Sequence, residues 1–413
     1  MVSFLPEMFG RLFRSSQRSH QQRWPQWPWW SWSVVGATLI GCQALVASGT
    51  HQSRLAVVLP LGWRDGPLRA EFMRGFQVGE RTVEACGEAL PRLDWYGLNP
   101  GESPATVLGS SRELQLVVAP PSADLRAFAT LADQRDLSVV LPYQRGQSLN
   151  TLRSLEGRER LWPLVPSQKD DLKATVEAAL KAGWSRAMVV EDPTAIEAEA
   201  STPFVDLFKA AGGTVESYEP EPVQQVNPEN RQQLGRFKKD VSWSWVPTVV
   251  VADSPDGALA RRLRQEQAKG QFGGGAPRNP NWIWLTSADG FNTLKPAPWK
   301  QLGLKHPARG RGWTSFQSLF LQRWGKPPTL LSASGYDTAR LLALIDVAPL
   351  PLSDEGQRDA MGWIDPEAST VPLCDAFMRR RQGDGLRLEA AASDFRLRSG
   401  TTPSGDASVR LLE

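Results

Sequence analysis

The sequence has few of the side chains on which metal sites and nucleophilic catalysis depend. Its 413 residues include three histidines and three cysteines. They contain no HExxH, no paired Cys-x-x-Cys, no G-x-S-x-G elbow and no Walker loop. We therefore predict no enzyme activity, no cofactor and no metal site. Hydrolysis by two separated carboxylates needs no local motif and stays open as the enzymatic alternative.

Net charge is also scarce beyond the N-terminus. The formal charge of the chain is +3, and residues 1–41 supply all of it, with four arginines against Glu7. Residues 42–413 are therefore neutral in sum. Because a nucleic-acid-binding protein normally carries a clustered positive excess, we predict that this protein does not bind nucleic acid.

A long uncharged run lies near the N-terminus. Trp29–Ala47 holds nineteen residues without a charge, and the arginines precede it. A basic start followed by an apolar run is typical of an export signal. Leu39-Ile40-Gly41-Cys42 resembles the lipobox of bacterial lipoproteins, which implies cleavage before Cys42 and lipidation of its thiol. The alternative is an uncleaved anchor, because nineteen helical residues span about 28 Å. In both cases the arginines stay inside and the rest of the chain is exported.

Two cysteines remain in the exported part. Cys86 and Cys374 could form a disulfide outside the cytoplasm. They stand far apart in the sequence and fall in different predicted regions. We therefore predict two isolated buried thiols rather than a disulfide.

The exported part alternates strands and helices. The clearest unit is Leu114–Gly146, where a valine-rich run, an amphipathic helix and a second β-branched run follow one another within about thirty residues. Such a βαβ unit requires parallel strands and a right-handed crossover. Ligands bind outside the carboxyl ends of these strands, which here are 120–122 and 142–145.

The same alternation restarts after residue 163, so the sequence predicts an α/β fold with two doubly wound, parallel-sheet lobes joined by a hinge. We expect β-hairpins and loops beside the hinge at the C-terminal end. The predicted organisation is a signal peptide or anchor (1–41), a linker (42–53), lobe I (54–163 and about 283–346) and lobe II (164–282 and about 347–413).

Several segments, taken in chain order, resemble the type I periplasmic binding proteins of the branched-chain amino-acid receptor group. They are LAVVLPLGWRDGPLRAEFMRGFQVG, LVVAPPSADL, AGWSRAMVVED, VVVADSPDGALARRLRQEQAKG and SASGYDTARLLALI. The resemblance implies two lobes that close on a small ligand, usually an amino acid. Helix N-termini and a Ser or Thr hydroxyl would hold the ligand's carboxylate, and an acidic residue would hold its ammonium.

Carried over by position, the resemblance places Ser122 at the serine of the first ligand loop and Asp289 at the acidic residue. The loop PYQRG departs from the family pattern, and there Arg145 could bind a carboxylate through two nitrogens. The predicted ligand-binding residues are Ser122, Tyr143, Arg145, Asp253, Asp289 and Trp63.

Five of these residues also have a structural interpretation. Ser122 could cap its helix, and Asp253 could cap the helix that follows it. Asp289 before glycine is typical of a turn. Arg145 could be a solvated loop charge, and Trp63 could pack at the surface.

The leading hypothesis is a periplasmic solute-binding protein of an ABC importer, anchored to the membrane as a lipoprotein. It would bind an amino acid or similar small polar solute by hinge closure and present the closed form to its permease. The alternative is a ligand-independent lipoprotein of the same fold that regulates a cell-envelope enzyme, like the activators of peptidoglycan synthases. Four tryptophans favour this alternative, although their period of two predicts that they pack a strand face: Trp243, Trp245, Trp282 and Trp284.

Overall fold

The chain forms two mainly parallel β-sheets with helices packed against them. None of the helices in the part of the chain that the structure describes is long and apolar enough to cross a membrane. This computed structural model describes residues 54–62, 65–110, 113–145, 149, 156–253, 257–270, 272, 280–285, 294–295, 299–351 and 359–413.

The first sheet has five parallel strands in the order β2-β1-β3-β4-β5. Its strands are β1 (Leu55–Pro60), β2 (Leu93–Leu98), β3 (Leu116–Val118), β4 (Ser138–Leu141) and β5 (Leu161–Pro163). The helices between them are α1 (Gly66–Ala85), α2 (Pro104–Val107) and α3 (Leu125–Arg135). The pairing of β3 with β4 confirms the predicted βαβ unit.

The second sheet has the order β14-β11-β10-β9-β6-β7, and β8 also pairs with β6. Only β14 runs antiparallel among its described pairings. Its strands are β6 (Arg186–Glu191), β7 (Thr214–Val215), β8 (Val223–Gln225), β9 (Thr248–Ala252), β10 (Asn281–Trp284), β11 (Gln301–Arg309) and β14 (Asp406–Leu412). Helices α4 (Gln168–Lys181) and α5 (Ser201–Ala210) cover one face, and α6 (Arg231–Ser244) and α7 (Ala258–Ala268) cover the other.

The remaining elements pack against the first sheet. They are α8 (Trp313–Trp324), α9 (Leu330–Ile345), α10 (Leu373–Gln382) and the parallel pair β12 (Thr370–Val371) and β13 (Arg387–Leu388). Together with the first sheet they share a buried apolar core. We call this assembly the first lobe, and the second sheet with α4 to α7 the second lobe.

This arrangement corrects the predicted lobe boundaries. The described residues of 281–309 belong to the second lobe, because β10 extends the ladder of β9 and β11 extends that of β10. The described residues of 313–397 belong to the first lobe, and of the C-terminal stretch only β14 returns to the second. The predicted hairpins are also wrong, since that stretch contains α10 and a parallel strand pair.

Two helices of the first lobe approach each other closely through glycines. A Cβ atom at Gly75 or Gly79 of α1 would collide with the backbone oxygens of Ser332 or Tyr336 in α9. A Cβ at Gly335 would likewise collide with the oxygen of Phe72. These glycines lie in RGFQVG and SASGYD, so two of the segments that resemble the family form one helix-helix contact.

The two cysteines of the described chain form a disulfide, so the prediction of isolated thiols is wrong. Cys86 follows α1, and Cys374 lies in the first turn of α10. Their Cα atoms are 5.2 Å apart although the residues are 288 positions apart in sequence. The helices meet because both pack on the same lobe.

Replacing Cys86 and Cys374 together by serine should lower the free energy of unfolding by about 2–5 kcal/mol, because the unfolded chain loses a cross-link. Urea denaturation without reductant measures the loss. Reduced wild type should behave like the variant, and equal stability of the oxidised wild type and the variant would contradict the prediction.

A buried carboxylate of α9 accepts hydrogen bonds from the backbone of residues 391–392, in the segment that leads to β14. Asp337 accepts hydrogen bonds from the backbone nitrogens of Ala391, at 2.9 Å, and Ala392, at 2.7 Å, and pairs with Arg340. Burial raises the pKa of Asp337 to about 6, although Arg340 and the backbone donors oppose that shift.

The folded protein should therefore lose stability as the pH rises from 4 to 6.5. In that window folded Asp337 keeps a proton that the unfolded chain has released, and the difference amounts to about 3 kcal/mol. Urea midpoints at several pH values measure the slope. Asp337→Asn should flatten it, and an unchanged slope in this variant would refute the assignment to Asp337.

Candidate functional site

Three connections in the described chain join the lobes, and all of them lie at the edge of each sheet where its parallel strands end. The first leaves β5 at Pro163, and the second leaves β11 at Arg309. The third arrives at Asp406, which pairs with Arg309 at that same end of β11. The carboxyl edges of both sheets therefore face the connections, and the candidate site lies there.

The loops at this edge of the first lobe contain several prolines. Pro60 ends β1, Pro120 and Pro121 follow β3, and Pro142 follows β4. Proline has no backbone N–H and cannot donate a hydrogen bond to a ligand. These loops consequently offer fewer backbone donors than the resemblance implies.

Ser122 is exposed in the turn after β3. Its interpretation as a helix cap is wrong, because Asp124 caps α3 by accepting from the nitrogens of Arg126 and Ala127. An exposed hydroxyl at the carboxyl end of a strand is placed where a ligand group would meet it, and its contact with a ligand stays a prediction.

Arg145 takes part in a buried ion pair between the lobes. Its Nη2 donates to Oδ2 of Asp171 at 2.7 Å, and its Nε donates to the oxygen of Pro166 at 3.0 Å. Oδ1 of Asp171 accepts from the nitrogen of Ala308 at 2.6 Å. The side chains of Arg145 and Asp171 are 6% and 1% exposed. Arg145 is therefore not a solvated loop charge, and its pair with Asp171 joins the loop after β4 to the first connection and to the end of β11.

The charges of this pair stabilise each other. Burial disfavours the charged guanidinium, but Asp171 and Tyr143 outweigh that effect and raise the pKa of Arg145. Tyr143 is half-buried and packs against the first-lobe core. Nη1 of Arg145 is buried without a hydrogen-bond partner in the described structure. The Nε and Nη2 atoms are already bonded within the protein, and a contact of Arg145 with a ligand stays a prediction.

Asp253 follows β9 and is 3% exposed. Its Oδ2 accepts from the nitrogen of Ala260 at 2.9 Å, so it caps the following helix α7. A Cβ atom at Gly257 would collide with this carboxylate. The structural interpretation of Asp253 is therefore confirmed, and a contact with ligand stays a prediction.

The structure also shows a groove that the sequence reasoning missed. It has a volume of about 580 Å³ and runs along β8, between the loop that precedes this strand and α6, with Glu191 at the end of β6 in its lining. Such a volume is typical of small-molecule sites. The strand β8 was not predicted, so no signal placed its residues near β6. The charged side chains that line the groove are Glu191, Glu219, Glu221, Asp240 and Arg236.

Three predicted residues lie outside the described part of the chain, namely Trp63, Asp289 and the lipidation candidate Cys42. Within the described part, no group of three or more His, Cys, Asp or Glu residues is arranged to hold a metal ion.

Comparisons with known proteins bear on the fold. No protein-family model and no curated protein sequence matches the chain. A solute-binding protein of an ABC transporter from R. palustris, in complex with benzoate, matches at 15% identity with a TM-score of 0.55, over 87% of this chain and 92% of that one. A substrate-binding protein from Desulfitobacterium hafniense, in complex with Leu, matches at 14% identity with a TM-score of 0.55, over 87% and 97%.

A leucine-binding protein from Thermotoga maritima matches at 15% identity with a TM-score of 0.51, over 86% of this chain and 97% of that one. The chain has the fold of type I periplasmic binding proteins. The predicted α/β fold with two parallel-sheet lobes is thereby confirmed.

Replacing Asp171 by asparagine should lower the free energy of unfolding by about 3–5 kcal/mol, because Arg145 would stay buried without a counter-charge. Urea denaturation measures this loss. Asp170→Asn is the matched control, since Asp170 is the neighbouring, partly exposed residue of α4. Equal effects of the two substitutions would show that the ion pair does not hold the lobes together.

Proposed function

We propose that the protein is an exported solute-binding protein, and not an enzyme, that closes its two lobes on a small polar solute such as an amino acid. The observation that carries this proposal is the position of the three connections at the carboxyl edges of both sheets. Ligands of α/β sheets bind at such edges, and rotation about the connections would open and close the space between them.

The chemistry of the site supports a solute with a carboxylate. Nη1 of Arg145 is a buried cationic donor without a partner in the described chain, and Ser122 supplies an exposed hydroxyl. The structural neighbours were solved with benzoate and with Leu, which both carry a carboxylate. Glu191, at the carboxyl end of β6, offers the negative charge that an ammonium group requires.

The ion pair constrains how closure would work. Arg145 belongs to the first lobe and Asp171 to the second; Arg145 also bonds to Pro166 of the first connection, and Asp171 to Ala308 at the end of β11. Because separating buried charges is costly, the ion pair would stay intact during closure, and the lobes would rotate with this pair as their pivot. The closed form would then be the state that an ABC permease recognises.

Export and anchoring complete the proposal. The disulfide supports a location outside the cytoplasm, where such bonds persist. The N-terminal lipobox resemblance supports a periplasmic protein held at the membrane through a lipid on Cys42, with an uncleaved helix as the other form of anchor.

A second candidate is a lipoprotein of the same fold that regulates a cell-envelope enzyme without binding a solute. Trp243 and Trp245 favour it, because these side chains are 77% and 69% exposed and do not pack a strand face as predicted. Trp282 and Trp284 do pack in the second lobe, where their rings stack 5.7 Å apart.

A panel of amino acids, benzoates, short peptides, urea, amides and sugars should contain a ligand that raises the melting temperature of the protein. A ligand at 100 times its dissociation constant adds about 2.7 kcal/mol of stability. Ser122→Ala should weaken binding about tenfold by removing one hydrogen bond to the charged carboxylate. Ser318→Ala, at an exposed serine of α8, is the matched control.

A panel without any shift, on folded protein free of bound ligand, would contradict solute binding and favour the second candidate. A ligand whose affinity falls equally in both serine variants would refute the role of Ser122.

A further inference from the structure

The helical layer on one face of the second lobe is strongly cationic. Helix α6 carries four cationic residues against Asp240, and α7 with its C-cap carries four against Glu266, which gives a net charge of +6. The helices on the opposite face, α4 and α5, carry four cationic and four acidic residues. The neutral sum of the sequence therefore conceals a segregation of charge between two faces.

Within the two helices the acidic residues leave an excess of positive charge, and Asp240 lies on the side of α6 that lines the acidic groove. Glu266 is buried and binds Lys238 at 2.6 Å, with Arg262 at 3.6 Å and Lys269 at 3.7 Å. The hydrogen bond from Lys238 lowers the pKa of Glu266. The single carboxylate of Glu266 thus forms ion pairs with three cationic side chains. Arg236 pairs with Glu219 of the adjacent loop. Three further cations of the layer are exposed: Arg231, Lys239 and Arg261.

Two exposed tryptophans end this layer. Trp243 occupies the last turn of α6, one turn beyond Lys239, and Trp245 is the C-cap. They lie at the amino-terminal edge of the second sheet, since β9 begins at Thr248. Large exposed aromatic side chains at the end of a cationic face are characteristic of surfaces that contact a partner.

The backbone at Trp245 strengthens this point. Its φ is 55°, in the left-handed region, where helix ends normally carry glycine or asparagine. Phe395 has a similar φ of 58° but is fully buried, so packing offsets its strain. Trp245 is exposed and gains little packing. An aromatic residue kept in a strained and exposed position indicates a function for the ring.

We propose that this surface, formed by the outer side of α6 and α7 with Trp243 and Trp245, binds the face of an anionic lipid bilayer. Lysine and arginine are attracted to anionic headgroups, and the indole ring prefers the boundary between headgroups and acyl chains. A soluble polyanion without aromatic groups, such as heparin, would need the cations but would gain little from two tryptophans. The proposal does not depend on which solute the protein binds.

Vesicle sedimentation of the full chain tests the proposal, with phosphatidylcholine vesicles and with vesicles containing 30% phosphatidylglycerol. Residues 1–53 are identical in every variant, so differences between variants report this surface. The wild type should bind the anionic vesicles more tightly, and raising NaCl from 0.1 to 0.5 M should reduce that excess.

Lys239→Glu with Arg261→Glu should weaken binding to anionic vesicles at least about thirtyfold, since each cation near the membrane contributes about 1 kcal/mol and the glutamates add repulsion. The matched control is Lys181→Glu with Lys209→Glu, which makes the same charge change on α4 and α5, at exposed positions. Equal losses in both pairs would show a general charge effect and overturn the proposal.

Trp243→Ser with Trp245→Asn should weaken binding about tenfold. Asparagine suits the left-handed region, so the variant should melt no lower than the wild type. Leu321→Ser with Met378→Ser, at exposed apolar positions of the first lobe, is the control and should bind normally. Full vesicle binding by the tryptophan variant would overturn the proposal. If heparin displaced the protein from the vesicles completely and the tryptophan substitutions had no effect, the surface would be assigned to soluble polyanions instead.

Discussion

The buried contact between Arg145, Asp171 and Ala308 is the interaction on which the relation of the two lobes depends. It joins a first-lobe loop, the first turn of α4 and the end of β11. Both oxygens of Asp171 are used, and the charges are shielded from water. The attraction in such a site is strong only while the geometry is kept. The connections between the lobes are therefore held by one specific arrangement rather than by apolar packing alone.

Inside the first lobe, the contact of α1 with α9 plays a comparable part. Its glycines bring two helix backbones together, so the helices cannot shift without loss of contact along their length. The disulfide and the bonds of Asp337 add α10 and the final segment to the same body. The contact explains why the segments RGFQVG and SASGYD contain glycine, because only glycine lets two helix backbones come this close.

The sequence predicted local structure well and long-range assembly less well. The valine-rich run, the amphipathic helix and the second β-branched run predicted within Leu114–Gly146 correspond in order to β3, α3 and β4. Lobe membership depends on which strands pair, and the sequence of a short buried strand such as β10 does not indicate which strand it pairs with. The partners of Arg145 and Asp253 were hidden for the same reason, because each partner is a backbone atom or a distant carboxylate. The spacing of Trp243 and Trp245 resembles that of a strand, but both residues lie at the end of a helix, where residues two positions apart do not share a face.

The position of the three connections has a consequence for protein engineering. Since the chain passes between lobes only at carboxyl ends, the turns at the opposite edge of the second sheet carry no connection. Gly183 and Gly212, which are exposed after α4 and α5, lie in such turns. Exposed turns of this kind tolerate inserted domains. A fluorescent reporter inserted there would be carried by one lobe alone, and it would convert a change in lobe angle into an optical signal.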